Sequence, residues 1–453
     1  MKEWLYKRAD IAKMTPRSQS LATKFFFLHS TLVAQYQIAQ TFLVLYLLEI
    51  ISFAELGILF ATQAALTALL DYPTGALGDA IGQRNVLTLS YVCYALAICF
   101  LLVADSFIFF LPWAILNAIG RSQESGALQS WFDNNYKVTS GEEDSDRKLF
   151  GAFVGKITIN FRVIAGLSFL ASGIIAATFS RKILFSVQLG MVILAIILII
   201  SLMKNEKDVE VPKKTFADYW GRLTGGLKFA TSSRGFFCFL VGGTLAQGAT
   251  LILWAAIMIT PYYEGYAGSD EYIGLLRSIV LVLGIVLQLA AIRLSRKTEK
   301  SYRDLFIATV MINIPFVIAL WGYYVFVPPE NSFVLIKYLG LIILLSVTGL
   351  GFWLTLQVVY TQRIMIELVP DQYRNAVYSL RPTLFWTFNV LVTLVGGFVL
   401  NQYGFGAGFP LILAFNVVGL IIFGTGLFLL SKPPKIPEPT RDSITKAPSP
   451  FAV

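Results

Sequence analysis

Runs of about 20 apolar residues recur along nearly the whole of this chain, and no other feature restricts its fold so tightly. A helix rises about 1.5 Å per residue, so about 20 residues cross the roughly 30 Å hydrocarbon core of a bilayer. Twelve such runs are expected, at about 25–48, 54–77, 86–104, 107–132, 150–178, 183–203, 235–262, 271–294, 304–328, 332–359, 380–401 and 407–430. Inside hydrocarbon the backbone must satisfy its own hydrogen bonds, which leaves helices or closed barrels. Barrel strands are about ten residues long and alternate in polarity. These runs are twice that length and apolar throughout. The expected class is an all-α membrane protein with twelve transmembrane helices in two six-helix pseudo-symmetric halves. Composition agrees, with 56% apolar and 14% charged residues, outside the range of ordinary soluble domains. The first run is too long for a signal peptide and no small-residue cleavage site follows, so it is expected to remain as a span.

The formal charge of +9 would suit a nucleic-acid partner, but its placement points to the bilayer. Lys and Arg crowd one set of turns and both termini. The opposite turns carry Glu49, Asp105, Glu264, Asp270, Glu271 and Glu330, with only Arg181, Lys182 and Lys337 as basic residues there. That asymmetry is the positive-inside rule. It predicts a multi-pass protein of the cell membrane with both termini cytoplasmic, in contact with lipid and without nucleic acid; separately, a monomer is expected.

Cys93, Cys99 and Cys238 fall inside spans without a Cys-x-x-Cys, and His29 is the single histidine. No disulfide framework, metal site or cofactor is expected. No P-loop is present, so ATP does not drive this chain. An integral-membrane transferase would need paired acidic motifs, and the one acidic run, 141–146, has no second copy. The chain is not expected to be an enzyme.

The longest polar interval among the spans, 204–234, separates residues 1–203 from 235–431 as two halves. Within it Phe216, Tyr219, Trp220, Leu223, Leu227 and Phe229 suggest a helix lying at the interface. Residues 432–453 are Pro-rich and without apolar periodicity, so this tail is expected to be disordered.

The turn from Asp71 to Arg84 reads Asp-Tyr-Pro-Thr-Gly-Ala-Leu-Gly-Asp-Ala-Ile-Gly-Gln-Arg. Pro73, Thr74 and Gly75 are expected to bend the helix as it leaves the bilayer. Gly78 and Gly82 permit a tight turn and close packing, and Asp79 can meet a cation or the positive end of a helix. The Gly-x-Leu-x-Asp-x-x-Gly-x-Arg core resembles the cytoplasmic loop after the second helix of major facilitator superfamily transporters. That resemblance assigns Gly75, Gly78, Asp79, Gly82 and Arg84 to a cytoplasmic gate. The fourth span, with Arg121 near its middle and Ser-Gly-Ala after it, resembles the superfamily's second motif, whose arginine is tied to proton coupling or substrate charge. Pro370 to Ser379 resembles the turn between the tenth and eleventh helices.

Intramembrane charges should face partners or a wet cavity. Asn117, Arg121, Glu124 and Leu128 share one helix face by their spacing. Depth along the helices suggests two layers: a cluster of Asp71, Glu124 and Lys156 suited to proton coupling, and an Arg121–Arg162 pair nearer the midplane. Arg277, close to its helix end, is expected to snorkel. His29, Tyr36 and Gln40 form a polar stripe on the first span. Gln247, Trp254, Trp353, Gln357, Trp386 and Asn389 add amides and aromatic area to a candidate cavity. Four basic residues within the spans against two acids tilt the substrate toward anionic solutes, and the aromatic content toward amphipathic ones and export. The expected function is a proton-coupled secondary transporter of a small solute. The alternatives are a non-transporting sensor on the same fold or an integral-membrane transferase.

Overall fold

A computed structural model of the protein describes residues 13–124, 126–144, 147–205, 216–297, 301–328, 334–345 and 351–431. Within them the side chains of 72–80, 142–143, 216–220, 222–223, 296, 334–336, 371–376 and 378–379 are not described. The regular structure of the described residues is helical: α1 Pro16–Leu48, α2 Phe53–Ile81, α3 Gln83–Val103, α4 Phe107–Glu124, α5 Ala127–Ser140, α6 Lys148–Thr178, α7 Arg181–Leu202 and α8 Phe216–Ser232. There follow α9 Arg234–Ala267, α10 Asp270–Lys297, α11 Tyr302–Phe326, α12 Val334–Ile343, α13 Phe352–Leu368, α14 Asp371–Tyr403 and α15 Gly408–Leu430.

Short polar turns start these helices by capping them. Thr15 Oγ1 accepts from the Ser18 amide at 3.1 Å ahead of Pro16, and Ser233 Oγ accepts from the Phe236 amide at 3.3 Å. Ser52 and Glu55 form a reciprocal capping box at α2, the Ser52 amide donating to Glu55 Oε2 at 2.8 Å and the Glu55 amide to Ser52 Oγ at 3.3 Å. Each cap satisfies amides that the first helical turn leaves without partners.

Among the described residues, ten helices are continuous, long and apolar enough to cross a membrane. The fourth and tenth expected spans are not among them. The fourth is divided between α4 and α5 at Gly126, which takes φ 75°, a backbone state open to glycine at little cost. The tenth covers α12 and α13, and residues 346–350 between them lie outside the described residues. The polar turn after the second span begins later than Pro73–Gly75. Helix α2 continues to Ile81, and the turn is made at Gly82 alone, with φ 84°. Past the bilayer a helix end is solvated, so its polar residues do not have to end it.

One end of the bundle, bearing the acidic turns, is closed by direct contact between α1–α7 and α9–α15. A Cβ on Gly57 of α2 would lie 2.6 Å from the Thr393 carbonyl and 2.8 Å from Gly397 Cα of α14. A Cβ on Gly274 of α10 would lie 2.4 Å from the Phe169 carbonyl of α6. Backbone meets backbone at both crossings, which only small residues allow. Arg181, at the start of α7, reaches Glu49 at 2.9 Å, Glu264 at 2.6 Å and Asp270 at 2.7 Å. A single guanidinium thus fastens the end of α1 and the start of α7 to the end of α9 and the start of α10.

At the other end the loop between α5 and α6 is folded around Asp144, which is 5% exposed. Its carboxylate accepts from the Tyr136 hydroxyl at 2.8 Å and from the Leu149 and Phe150 amides at 3.0 and 2.9 Å. The acidic run therefore caps α6. Arg84 donates to the Ile200 carbonyl at 2.6 Å and ties α3 to the end of α7. Helix α8 forms where the amphipathic run predicted one. Residues 206–215 and the tail 432–453 lie outside the described residues.

Candidate functional site

Behind the closed end the bundle holds polar cavities. Helix α9 passes through their middle with a π-helical segment, Thr250–Met258, a local widening that often marks functional sites. Buried side chains brace it: Thr250 donates to Asn313 Oδ1 at 2.9 Å, and Asn416 donates to Thr250 at 3.0 Å and to the Asn313 carbonyl at 2.8 Å. The side chains of the π-helical segment divide between two cavities. Leu251, Ile252 and Ala256 line one lobe, and Trp254 and Ala255 line the other.

The first lobe, about 170 Å³, lies between α1, α2, α4, α9 and α14. Tyr36, Gln40, Gln63, Asn117, Arg121, Trp386 and Asn389 give it a wall of amides and aromatics. An adjoining space of about 290 Å³ shares Tyr36, Asn117 and Arg121 and adds His29, Gln37, Tyr94, Glu124 and Leu128. The expected face Asn117–Arg121–Glu124–Leu128 does line this space. Arg121 lies over the Trp386 ring, 4.5 Å from its centroid, a cation–π contact worth about 0.5–2 kcal/mol. It joins α4 to α14.

Glu124 has partners other than those expected. It accepts from the Tyr94 hydroxyl at 2.7 Å and from the Tyr91 hydroxyl at 3.1 Å, both on α3. The expected cluster with Asp71 and Lys156 does not form around it, because α4 turns Glu124 toward α3. Asp71 and Lys156 each engage other groups. Tyr91 also accepts from Gln35 at 3.5 Å, and Gln35 from Gln188 at 3.4 Å, so a buried polar chain runs from Glu124 through α3 to α7.

The second lobe, about 210 Å³, is bounded by α6, α9, α10 and α11, and by Leu345 and Gly351 from between α12 and α13. Arg162 and Arg277 both line it, with Phe169, Trp254, Tyr263 and Phe316. The expected pairing of Arg121 with Arg162 is thus corrected. Their depth is matched, but α4 and α6 aim them into different lobes, and Arg277 is the arginine that shares a lobe with Arg162. Nor does Arg277 snorkel. Its Nη1 donates to the Thr41 carbonyl at 3.1 Å and to Thr260 Oγ1 at 2.8 Å, and its guanidinium covers Phe169 at 4.7 Å.

Other expected cavity residues sit elsewhere. Gln247 accepts from Arg381 at 3.2 Å. Gln357, 2% exposed, lines a small gap beside Arg381. Trp353 packs edge-on against Phe352 beside a core of α9, α13 and α15 side chains. His29, by contrast, does line the adjoining space, where it stacks on Phe25 at 5.8 Å. Of the expected gate, Gly82 makes the turn and Arg84 bonds to α7. The side chain of Asp79 and residues Gly75 and Gly78 lie outside the described side chains. Gln37, Gln63, Tyr94 and Arg381 were not singled out by the sequence. The need of a buried glutamate for hydroxyl donors is the one signal that pointed toward Tyr94.

A model of the Major Facilitator Superfamily matches residues 25–365. The structure of the nucleoside transporter NupG superposes with a TM-score of 0.69, at 13% identity, covering 90% of this chain and 99% of that one. A point mutant of the same transporter gives 0.71 at 12% identity with the same coverage. At such identity the likeness is one of fold. None of the curated proteins compared with the chain matches it.

Proposed function

We propose that this chain, which belongs to the Major Facilitator Superfamily, is a proton-coupled secondary transporter that carries a small solute through the cavities between its two groups of helices by alternating access. The observation that carries this reading is the position of these cavities. They lie between α1–α7 and α9–α15, behind a seal held by glycine crossings and by Arg181. Breaking the seal while closing the opposite end would hand a bound solute from one side to the other. The charge asymmetry of the turns makes the sealed end the outer one.

Coupling is assigned to Glu124. A carboxylate beside two tyrosine hydroxyls, one helical turn from Arg121, can exchange a proton with the cavity and change how Arg121 is balanced. The amides of Gln40, Gln63, Asn117 and Asn389 then orient a polar solute, and Tyr36 and Trp386 give it area.

The test begins with a thermal-shift screen of the purified protein against metabolites, because a ligand of the folded state raises Tm by mass action. Each binder is then added to proteoliposomes loaded with a pH-sensitive dye. Solute uptake with proton movement is expected, and Glu124→Gln should abolish the proton signal while the Tm shift remains. Binding with no flux in the parent protein would make it a sensor instead.

A further inference from the structure

We infer that the second lobe is an anion site, in which Arg162 and Arg277 together receive the carboxylate or phosphate of an organic anion. This deepens the transport reading by naming the class of solute, and its test is independent of flux. The apolar body of that anion would lie against Phe169, Trp254, Tyr263 and Phe316, which wall the same space.

Charge balance carries the assignment. No carboxylate is among the described residues lining the lobe. Arg277 is fixed by two neutral acceptors and a ring face, none of which offsets its charge. Arg162 makes no hydrogen bond or ion pair with any described residue. Its Nη1 lies over Gly284 of α10, 3.2 Å from where a Cβ would stand, so the missing side chain at 284 leaves the space that the guanidinium occupies. Some other arginines are met by acids, whereas Arg381 donates to the neutral Gln247. Arg181 meets three acids, Arg147 meets Asp133, and Arg121 shares its lobe with Glu124. Two uncompensated cations at membrane depth are costly unless an anion or water neutralises them. One guanidinium held in place and one unbonded is a suitable receptor. The fixed arginine sets the position, and the unbonded one can turn its planar fork onto two oxygens.

The test uses the full-length protein in detergent micelles and three probes of one shape: benzoate, phenyl phosphate and the neutral benzamide. Calorimetric titration should show binding of at least one acid and at least tenfold weaker binding of benzamide. The acid that binds more tightly identifies the group. Arg162→Gln should lose at least tenfold in affinity for that acid. Because Arg162 bonds to nothing described and its uncompensated charge is costly to bury, the variant's unliganded Tm should equal or exceed that of the parent, which separates a lost site from a lost fold. Arg303→Gln, a surface cation with its side chain 83% exposed, should bind like the parent. Equal affinity for acid and amide, or an Arg162→Gln variant that keeps the parent's affinity, would overturn the anion site. Acid binding without any flux would instead sink the transport reading and leave the site standing.

Discussion

A buried or half-buried charge in this chain is defined by what faces it, and Asp133 shows the effect outside the continuous spans. Burial raises its carboxyl pKa, but hydrogen bonds from Lys137 and Arg147, with their charges, outweigh this and hold it below the usual carboxylate range. A depressed folded pKa gives stability that is complete above the unfolded value, about 3.9, and is lost as pH falls through the folded one. The pairs are partly exposed, so the effect should be about 1 kcal/mol or less. Thermal melts of parent and Asp133→Asn should therefore differ by a constant amount from pH 7 to about 5 and converge below about pH 3.9. A gap that persists unchanged into strong acid would show that the ion pairs contribute nothing. Glu124 differs in kind, since its partners are hydroxyls rather than cations. Its replacement by glutamine is expected to be tolerated by the fold and felt in coupling.

Helix crossings are where single atoms count most. A Cβ at Gly57 would meet the backbone of α14, which cannot swing aside as a side chain can. Gly57→Ala should cost about 1–3 kcal/mol through overpacking and lower Tm. Gly190→Ala in α7, with nothing within 4 Å of the added atom, should be neutral or stabilising. Similar losses at both positions would mean that the α2–α14 crossing is looser than these distances imply. The sequence was most legible at this scale. Apolar length marked the spans, the amphipathic run marked α8, and the Asn117–Arg121–Glu124–Leu128 spacing marked a face that does line a cavity. It failed at Gly126, because a glycine permits a break without requiring one. It also failed to pair Arg162 with Arg277 or Glu124 with Tyr94. Periodicity tells which residues share a face, whereas partners depend on how each helix is rotated against its neighbours.

As a whole the molecule is sealed at the acid-bearing end and hollow behind the seal, which is one state of the proposed transport cycle. Arg181 is the largest polar fastening across that seal among the described residues, and its three carboxylates come from both groups of helices. Arg181→Ala should therefore favour separation at that end. The most direct test is a pair of spin-label distances, taken after the cysteines at 93, 99 and 238 have been replaced. One pair, at exposed Lys182 and Glu271, straddles the seal, and the other, at exposed Asn85 and Lys297, straddles the opposite end. The parent should give a short, narrow distribution across the seal. Arg181→Ala should lengthen that distance while shortening the one at the opposite end, in matching fractions of molecules. If both distributions stay unchanged, or both widen together, the two ends do not alternate and the alternating-access account is contradicted.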